Sequence, residues 1–157
     1  MIRAASLDDI PALLGFWNPV IRDTTITFSS EEKTPEGLAV LLAERPVFLV
    51  ADAGQGAVGL ASYAQFRGGN GYRHAAEHTI ILAPDTRGQG LGRALMDALE
   101  SHARAGGVHV MVAGISAENA PACAFHAALG YVETGRMPQV GRKFDRWLDL
   151  VLMQKVL

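Results

Sequence analysis

The sequence predicts an α/β fold of the α+β kind, a mixed sheet flanked by about four helices. Three observations lead there. Segments of strand character and segments of helical period follow one another in the order β-α-α-β-β-β-α-β-α-β-β. Near the middle of the chain a strand runs straight into a glycine-rich turn and a helix. The 157 residues are 49% hydrophobic and 19% charged, a globular balance with enough length for one real core, so residues 1–157 read as a single domain.

The central stretch organises the rest. Thr79 to Ala83 is apolar and partly β-branched, and Pro84-Asp85 stops it. Leu91, Leu95, Leu99 and Ala103 then recur at helical spacing until Gly106-Gly107 ends the run. A helix that opens on Gly88, Gly90 and Gly92 leaves its first N–H groups bare of side chains. Those donors, with the positive end of the helix dipole, make a site for a phosphate-bearing ligand.

The remaining elements follow in chain order. Ile2–Ala5 is a short strand, and Ser6 stands as a helix cap with Asp9 three residues on. Leu7, Ile10, Leu13, Leu14 and Trp17 carry the first helix, which Pro19 is expected to break. Thr34-Pro35 opens a second helix that Arg45-Pro46 closes. Two β-runs precede the central strand, Val47 to Ala51 and Ala57 to Phe66. Between them Gly54-Gln55-Gly56-Ala57-Val58-Gly59 matches the dinucleotide pattern G-x-G-x-x-G, but a strand follows where a helix is required, so it reads as a hairpin turn. Beyond the central helix come a strand at Val108–Ile115, a helix from Asn119-Ala120-Pro121 to Gly130, a strand start at Tyr131–Thr134, a long connection from Gly135 to Asp145, and a last strand over Trp147–Met153.

Composition narrows the partners. A net charge of −2 without basic clusters argues against nucleic acid or an anionic membrane. One cysteine, Cys123, allows no internal disulfide and fits a reducing compartment. No charged-then-apolar leader opens the sequence and no apolar run approaches a membrane span, so a cytoplasmic protein is expected.

The spacing Arg87-x-x-Gly90-x-Gly92 after a strand resembles the pyrophosphate loop of GNAT-superfamily acetyltransferases, which hold acetyl-CoA there. Further segments resemble the phosphinothricin and methionine sulfoximine N-acetyltransferase family within it. They are Asn18 with Thr24–Phe28, Tyr72–His78, Asn119–Tyr131 and the tail Met137–Met153. The resemblance covers nearly the whole chain. It implies a GNAT fold with a mostly antiparallel sheet, acetyl-CoA as co-substrate, no metal, a homodimer, and acetylation of the α-amino group of a small amino acid or analogue by direct attack in a ternary complex. A protein N-terminal or polyamine acetyltransferase, and a non-catalytic acyl-CoA-binding module, are the alternatives. The family usually carries Ser-Val-Tyr-Val where this chain has Thr79-Ile80-Ile81-Leu82, which alters one wall near the cofactor or substrate.

Candidate roles follow. The resemblance places the cofactor on the backbone of Arg87, Gly88, Gln89, Gly90, Leu91 and Gly92, and on the main chain of Ile80, Ile81 and Leu82. Main-chain N–H groups near Ile81 or Leu82 would serve the oxyanion. The resemblance also gives Asn119 a cofactor contact, although its type and position suit a helix cap equally. Glu77 is the expected catalytic base, because a carboxylate entering an apolar strand is costly unless it is paired or functional; a structural ion pair is the alternative. His126 stands where many relatives place the acid for the leaving thiolate, and the alternative is a helix histidine tied to a neighbour. Substrate contacts are expected from Phe28, Phe66, Arg67, Arg73, Glu77 and His78, the arginines suiting a carboxylate. His78 reads first as a structural hydrogen-bond partner and only second as a substrate contact. Cys123 lies in a helix apolar pattern and is not expected to carry an acetyl group. Lys143, Arg146 and Trp147 could face substrate, a second subunit or only their own hairpin.

Overall fold

The computed structural model describes all 157 residues. In chain order it holds β1 (Ile2–Ala4), α1 (Ile10–Asp23), α2 (Pro35–Glu44), β2 (Phe48–Asp52), β3 (Ala57–Gln65), β4 (Ala75–Leu82), α3 (Leu91–Ala105), β5 (Val110–Ser116), α4 (Ala120–Ala128), β6 (Val132–Lys143) and β7 (Arg146–Val156), with short 3₁₀ turns at Leu7–Asp9, Asn70–Tyr72 and Pro84–Thr86. The eleven main elements match the predicted order. One seven-stranded sheet runs β1-β2-β3-β4-β5-β7-β6. Every neighbouring pair is antiparallel except β4 with β5.

Strand alternation sorts the core into two layers. On one face Leu95, Met96, Leu99 and Ala103 of α3 pack with Ala61, Ala76, Met111, Ala113 and Met153. On the other, Leu13, Trp17, Val20 and Ile21 of α1 and Leu38 of α2 pack against Val50, Leu60 and Ile81. A β4 residue therefore faces α3 if even-numbered and α1 if odd-numbered, and that parity fixes the roles discussed below.

Two expectations are corrected. Pro19 lies inside α1 and does not end it. Proline removes one backbone bond, but Phe16, Trp17, Val20 and Ile21 on either side of it are buried, and that packing carries the helix through. The segment from Gly135 to Asp145 is mostly strand. β6 reaches Lys143, with register shifts between Glu133 and Gly135 and between Met137 and Gly141. The bulges disguise the period of two, and Gln139 takes a left-handed φ of 58°. Phe144 and Asp145, at φ 52° and 58°, form a two-residue turn into β7. The G-x-G-x-x-G match is a turn, as expected: Gly54 and Gly56 N–H both donate to Asp52 Oδ1.

The first strand is fastened by charge. Arg3 donates from both Nη atoms to Asp9 at 2.8 Å, and its Nη2 also donates to Asp52 at 2.9 Å. Asp9 additionally accepts from Ser6 N at 2.8 Å, so the expected cap closes on a 3₁₀ turn that leads into α1. The Arg3 hydrogen bonds hold Asp9 down to about 2, against an ordinary 3.8. The folded state thus binds that proton less tightly than the unfolded chain. The resulting stability is complete above about pH 4 and is lost as pH falls toward 2. With Arg3 partly exposed, it amounts to about 1–2 kcal/mol. Urea unfolding of Asp9→Asn beside the unsubstituted protein should show that deficit at pH 6 and a much smaller one at pH 2.5.

Candidate active site

The site begins where β4 and β5 part. Their parallel pairing lasts three residues, Ala75 with Val110, Ala76 with Met111 and Glu77 with Val112. Beyond Glu77, β4 stays on β3 while β5 continues on β7. A cleft opens in the wedge.

Backbone alternation decides what β4 offers it. Ala83 N–H donates to Val58 O and Phe66 N–H to Ala75 O, each an opposed pair. In the same register the bonded pairs include Ile81 with Leu60 and Thr79 with Ser62. The N–H and C=O of Ile80 and Leu82 therefore face away from β3, toward the wedge. Ile81 contributes side chain only, because its main-chain groups belong to Leu60.

One lobe is lined by Val20, Ile26, Ile80, Ile81, Leu82, Arg87, Asn119, Pro121, Ala122, Phe125 and His126. It runs toward the glycine turn at the head of α3. Gly88 and Gly90 take left-handed φ of 80° and 78°, and no side chain caps the helix. Gly92 is needed for a different reason: a Cβ there would meet the Phe125 ring at 3.2 Å. Asn119 caps α4, its Oδ1 accepting from Ala122 N at 3.2 Å, and also lines the cleft. An uncapped fifteen-residue helix with an arginine beside it and an apolar channel with free strand donors behind it suits a long thiol cofactor ending in phosphates.

The second lobe shares Ile26, Ile80, Ile81, Asn119, Ala122 and His126 with the first, and adds Thr27, Phe28, Glu77, His78, Thr79, Gly114, Ser116 and Leu150 among others. Glu77 projects from the apex of the wedge. Its Oε2 would lie 2.8 Å from a Cβ on Gly114, so the carboxylate occupies space that only glycine leaves. Nothing in the chain pairs with it, and the structural ion pair is absent. Burial raises its pKa above the ordinary carboxylate range, with Arg45 partly opposing.

His78 and His126 form a buried pair, stacked with centroids 5.0 Å apart and Nε2 atoms 3.1 Å apart. Burial lowers both, His78 to about 3, so both are neutral. His126 Nδ1 lies 2.7 Å from the Ala122 carbonyl, which only accepts, so its proton is there. Its Nε2 must accept from His78 Nε2–H, which leaves His78 Nδ1 a bare acceptor, buried and without partner. His126 thus lines the cleft with both nitrogens engaged, and the thiolate-acid role expected of it would require breaking the bond to His78. Tyr131 stands edge-on to both rings and donates to Glu100, itself paired with Lys155.

Three expected substrate contacts are not brought to the cleft of this chain. Phe66, Arg67 and Arg73 sit in the β3–β4 loop, on the side of Glu77 where β4 is still paired with β5 and away from the opening of the wedge; there Arg67 lies over Tyr72 and Arg73 donates to His74. Neither lobe includes them. Ile26, Thr27, Gly114 and Ser116 also line the second lobe, though none is among the expected site residues; for Gly114 the signal in the sequence is a lone glycine in the apolar strand Val110–Ser116. No group of three or more His, Cys, Asp or Glu is placed to hold a metal ion, and no helix is long and apolar enough to cross a membrane.

The profile of the Acetyltransferase (GNAT) family matches residues 17–131. The chain belongs to the GNAT acetyltransferase family. Membership makes it an acetyltransferase with acetyl-CoA as donor, the ligand the uncapped helix and channel suit. Within the family it is 40% identical to an L-methionine sulfoximine/L-methionine sulfone acetyltransferase of Pseudomonas aeruginosa, over 98% of this chain and 92% of the relative. A solved structure described as a ribosomal-protein-alanine N-acetyltransferase from Brucella melitensis superposes with TM-score 0.96 at 40% identity, over 100% of this chain and 99% of its own. The putative acetyltransferase yncA of Salmonella typhimurium, solved with acetyl-CoA, superposes with TM-score 0.95 at 35% identity, over 100% of this chain and 93% of its own.

Gly114→Ala tests the apex without touching a charge. The added methyl must displace the Glu77 carboxylate, and acetyl transfer should fall on the order of 100-fold. Acetyl-CoA affinity by calorimetry should stay unchanged, since Gly114 lines only the other lobe.

Proposed function

We propose that the chain acetylates the α-amino group of a small amino acid analogue of the methionine sulfone, methionine sulfoximine or phosphinothricin type. The observation that carries this reading is the unpaired carboxylate of Glu77, half-buried in a compact lobe next to the cofactor channel. The relative named for methionine sulfoximine and sulfone supports the acceptor class.

When bound, acetyl-CoA supplies an activated acetyl thioester. Arg87 and the free N–H groups at the head of α3 hold its phosphates, and the outward main chain of Ile80 and Leu82 holds its arm. The acceptor lies in the second lobe, over Gly114 and against Phe28 and Ile81. Its amine arrives as an ammonium. Glu77 accepts one proton, directly or through a water, and the raised pKa makes it a better base than an exposed glutamate. Ile81 replaces the aromatic usual in the resembling family and makes this wall apolar. His78 and His126 form a neutral, fixed partition between the lobes. Of the two catalytic roles expected from the sequence, we retain the base: the amine freed by Glu77 attacks the acetyl carbonyl, the C–S bond breaks as the C–N bond is made, and the second amine proton passes by way of water to the departing CoA thiolate. The carboxylate-binding group of the acceptor is not assigned to Arg67 or Arg73.

We further propose a cytoplasmic homodimer. Val132, Met137, Val140, Phe144 and Trp147 are exposed along the β6–β7 hairpin, an apolar set that suits coverage by a second copy.

Thiol release from acetyl-CoA, with methionine sulfone, methionine sulfoximine, phosphinothricin and an alanine-initiated peptide offered separately, tests the acceptor. Turnover with an analogue and none with peptide is expected. Peptide turnover alone would move the assignment to a protein N-terminus. Glu77→Gln should lower kcat about 10²–10⁴-fold. In the parent enzyme kcat/KM should fall as acidification protonates Glu77, from a pH above the ordinary carboxylate range. Because burial raises this pKa in the folded state, the ionised form opposes folding at neutral pH, so Glu77→Gln should also raise Tm.

A further inference from the structure

The wall of the acceptor lobe formed by Ile26, Thr27 and Phe28 belongs to no helix or strand. What holds it comes from far along the chain. Lys143, at the end of β6, is 4% exposed and has no carboxylate partner. Its ammonium donates to Ile21 O at 2.5 Å and Thr27 O at 2.9 Å. The first acceptor is a carbonyl in the last turn of α1, where the helix dipole favours a cation. The second lies in the wall itself.

Two residues earlier, the Phe28 ring fills the space that a side chain at Gly141 would take. A Cβ at Gly141 would meet Phe28 Cδ2 at 2.5 Å and Cε2 at 2.7 Å. A third tie comes from β7, where Arg146 binds Glu118 through both Nη atoms and Glu118 accepts from Thr25 Oγ1 at 3.0 Å. At the far end of the same loop, Asn18 donates to Lys33 O at 3.0 Å and accepts from Lys33 N at 2.8 Å.

We propose that the tip of the β6–β7 hairpin, through Gly141 and Lys143, sets the position of Phe28 and so selects the acceptor. The inference rests on the reading of the second lobe as the acceptor site. Gly141 and Lys143 are positioning residues, since neither lines the lobe. Burying an ammonium without a counter-charge is costly, and the two carbonyls it joins are the end of α1 and the pocket wall. The geometry ties shape at the acceptor to a segment more than a hundred residues away in sequence.

Gly141→Ala and Lys143→Met test this. Neither substitution asks for a left-handed backbone, as Gly141 does not have one. Each should raise KM for the analogue by about tenfold or more, with KM for acetyl-CoA within about twofold. Adding Phe28→Leu to Gly141→Ala removes the clashing ring and should restore part of the acceptor KM, which a loss of stability would not allow. Hydrogen exchange at residues 24–28 should quicken in Lys143→Met. Faster exchange with unchanged acceptor KM, or equal rises in both KM values, would overturn the proposal. If the parent enzyme acetylates no amino acid analogue, the functional reading fails. The hairpin is then judged by exchange at 24–28 and by KM for whichever acceptor is turned over, and unchanged values there overturn it.

Discussion

Three residues of parallel pairing between β4 and β5 govern this molecule. A longer ladder would close the sheet and leave no cleft, while none would let the two halves drift apart. Ending the pairing at Glu77 and Val112 places a carboxylate at the vertex and releases the outward main chain of Ile80 and Leu82. The antiparallel partners on either side, β3 and β7, keep each arm straight after they separate. The glycines at 88, 90 and 92 matter because the strand that leads to them forms one arm of that wedge.

Side-chain parity on β4 then divides the labour. Glu77, Thr79 and Ile81 face the α1 layer and the second lobe. His78, Ile80 and Leu82 face the α3 and α4 layer, where the histidine pair is buried at the edge of the cleft. A slip of one residue would bury the carboxylate beside Tyr131 and place an imidazole at the vertex. Two buried layers, each with its own apolar set, prevent that slip.

Most of the architecture was readable from local signals, since apolar period and capping residues are local. The element order, the hairpin turn at Gly54–Gly59 and the glycine-rich turn that opens α3 uncapped all follow from such signals. Pro19 and the Gly135–Asp145 segment misled for opposite reasons. Tertiary packing overrode a helix breaker in the first, and bulges hid a strand in the second. At the site, the place of Glu77 is legible because a carboxylate in an apolar strand is unusual, whereas Asn119 by residue type reads only as a cap and its place in the cleft is what the resemblance implied. Arg67 and Arg73 suit a carboxylate by residue type, but the loop that carries them lies on the paired side of the vertex and not in the opening of the wedge. Gly114, Ile26 and Thr27 owe their place in the lobe to contacts between distant segments, which no window along the chain contains.

The two outer strands of the sheet differ in length but share one property. β1 has three residues, already paired with β2 on its one inner side. β6 is long, yet it is broken by two register shifts, carries Pro138 without an N–H, and turns left-handed at Gln139. Neither border offers an uninterrupted row of free donors and acceptors on which another strand could add. The sheet is therefore finite by construction. A protein with this much exposed apolar surface on its last hairpin can meet a second copy through side chains without seeding a fibril.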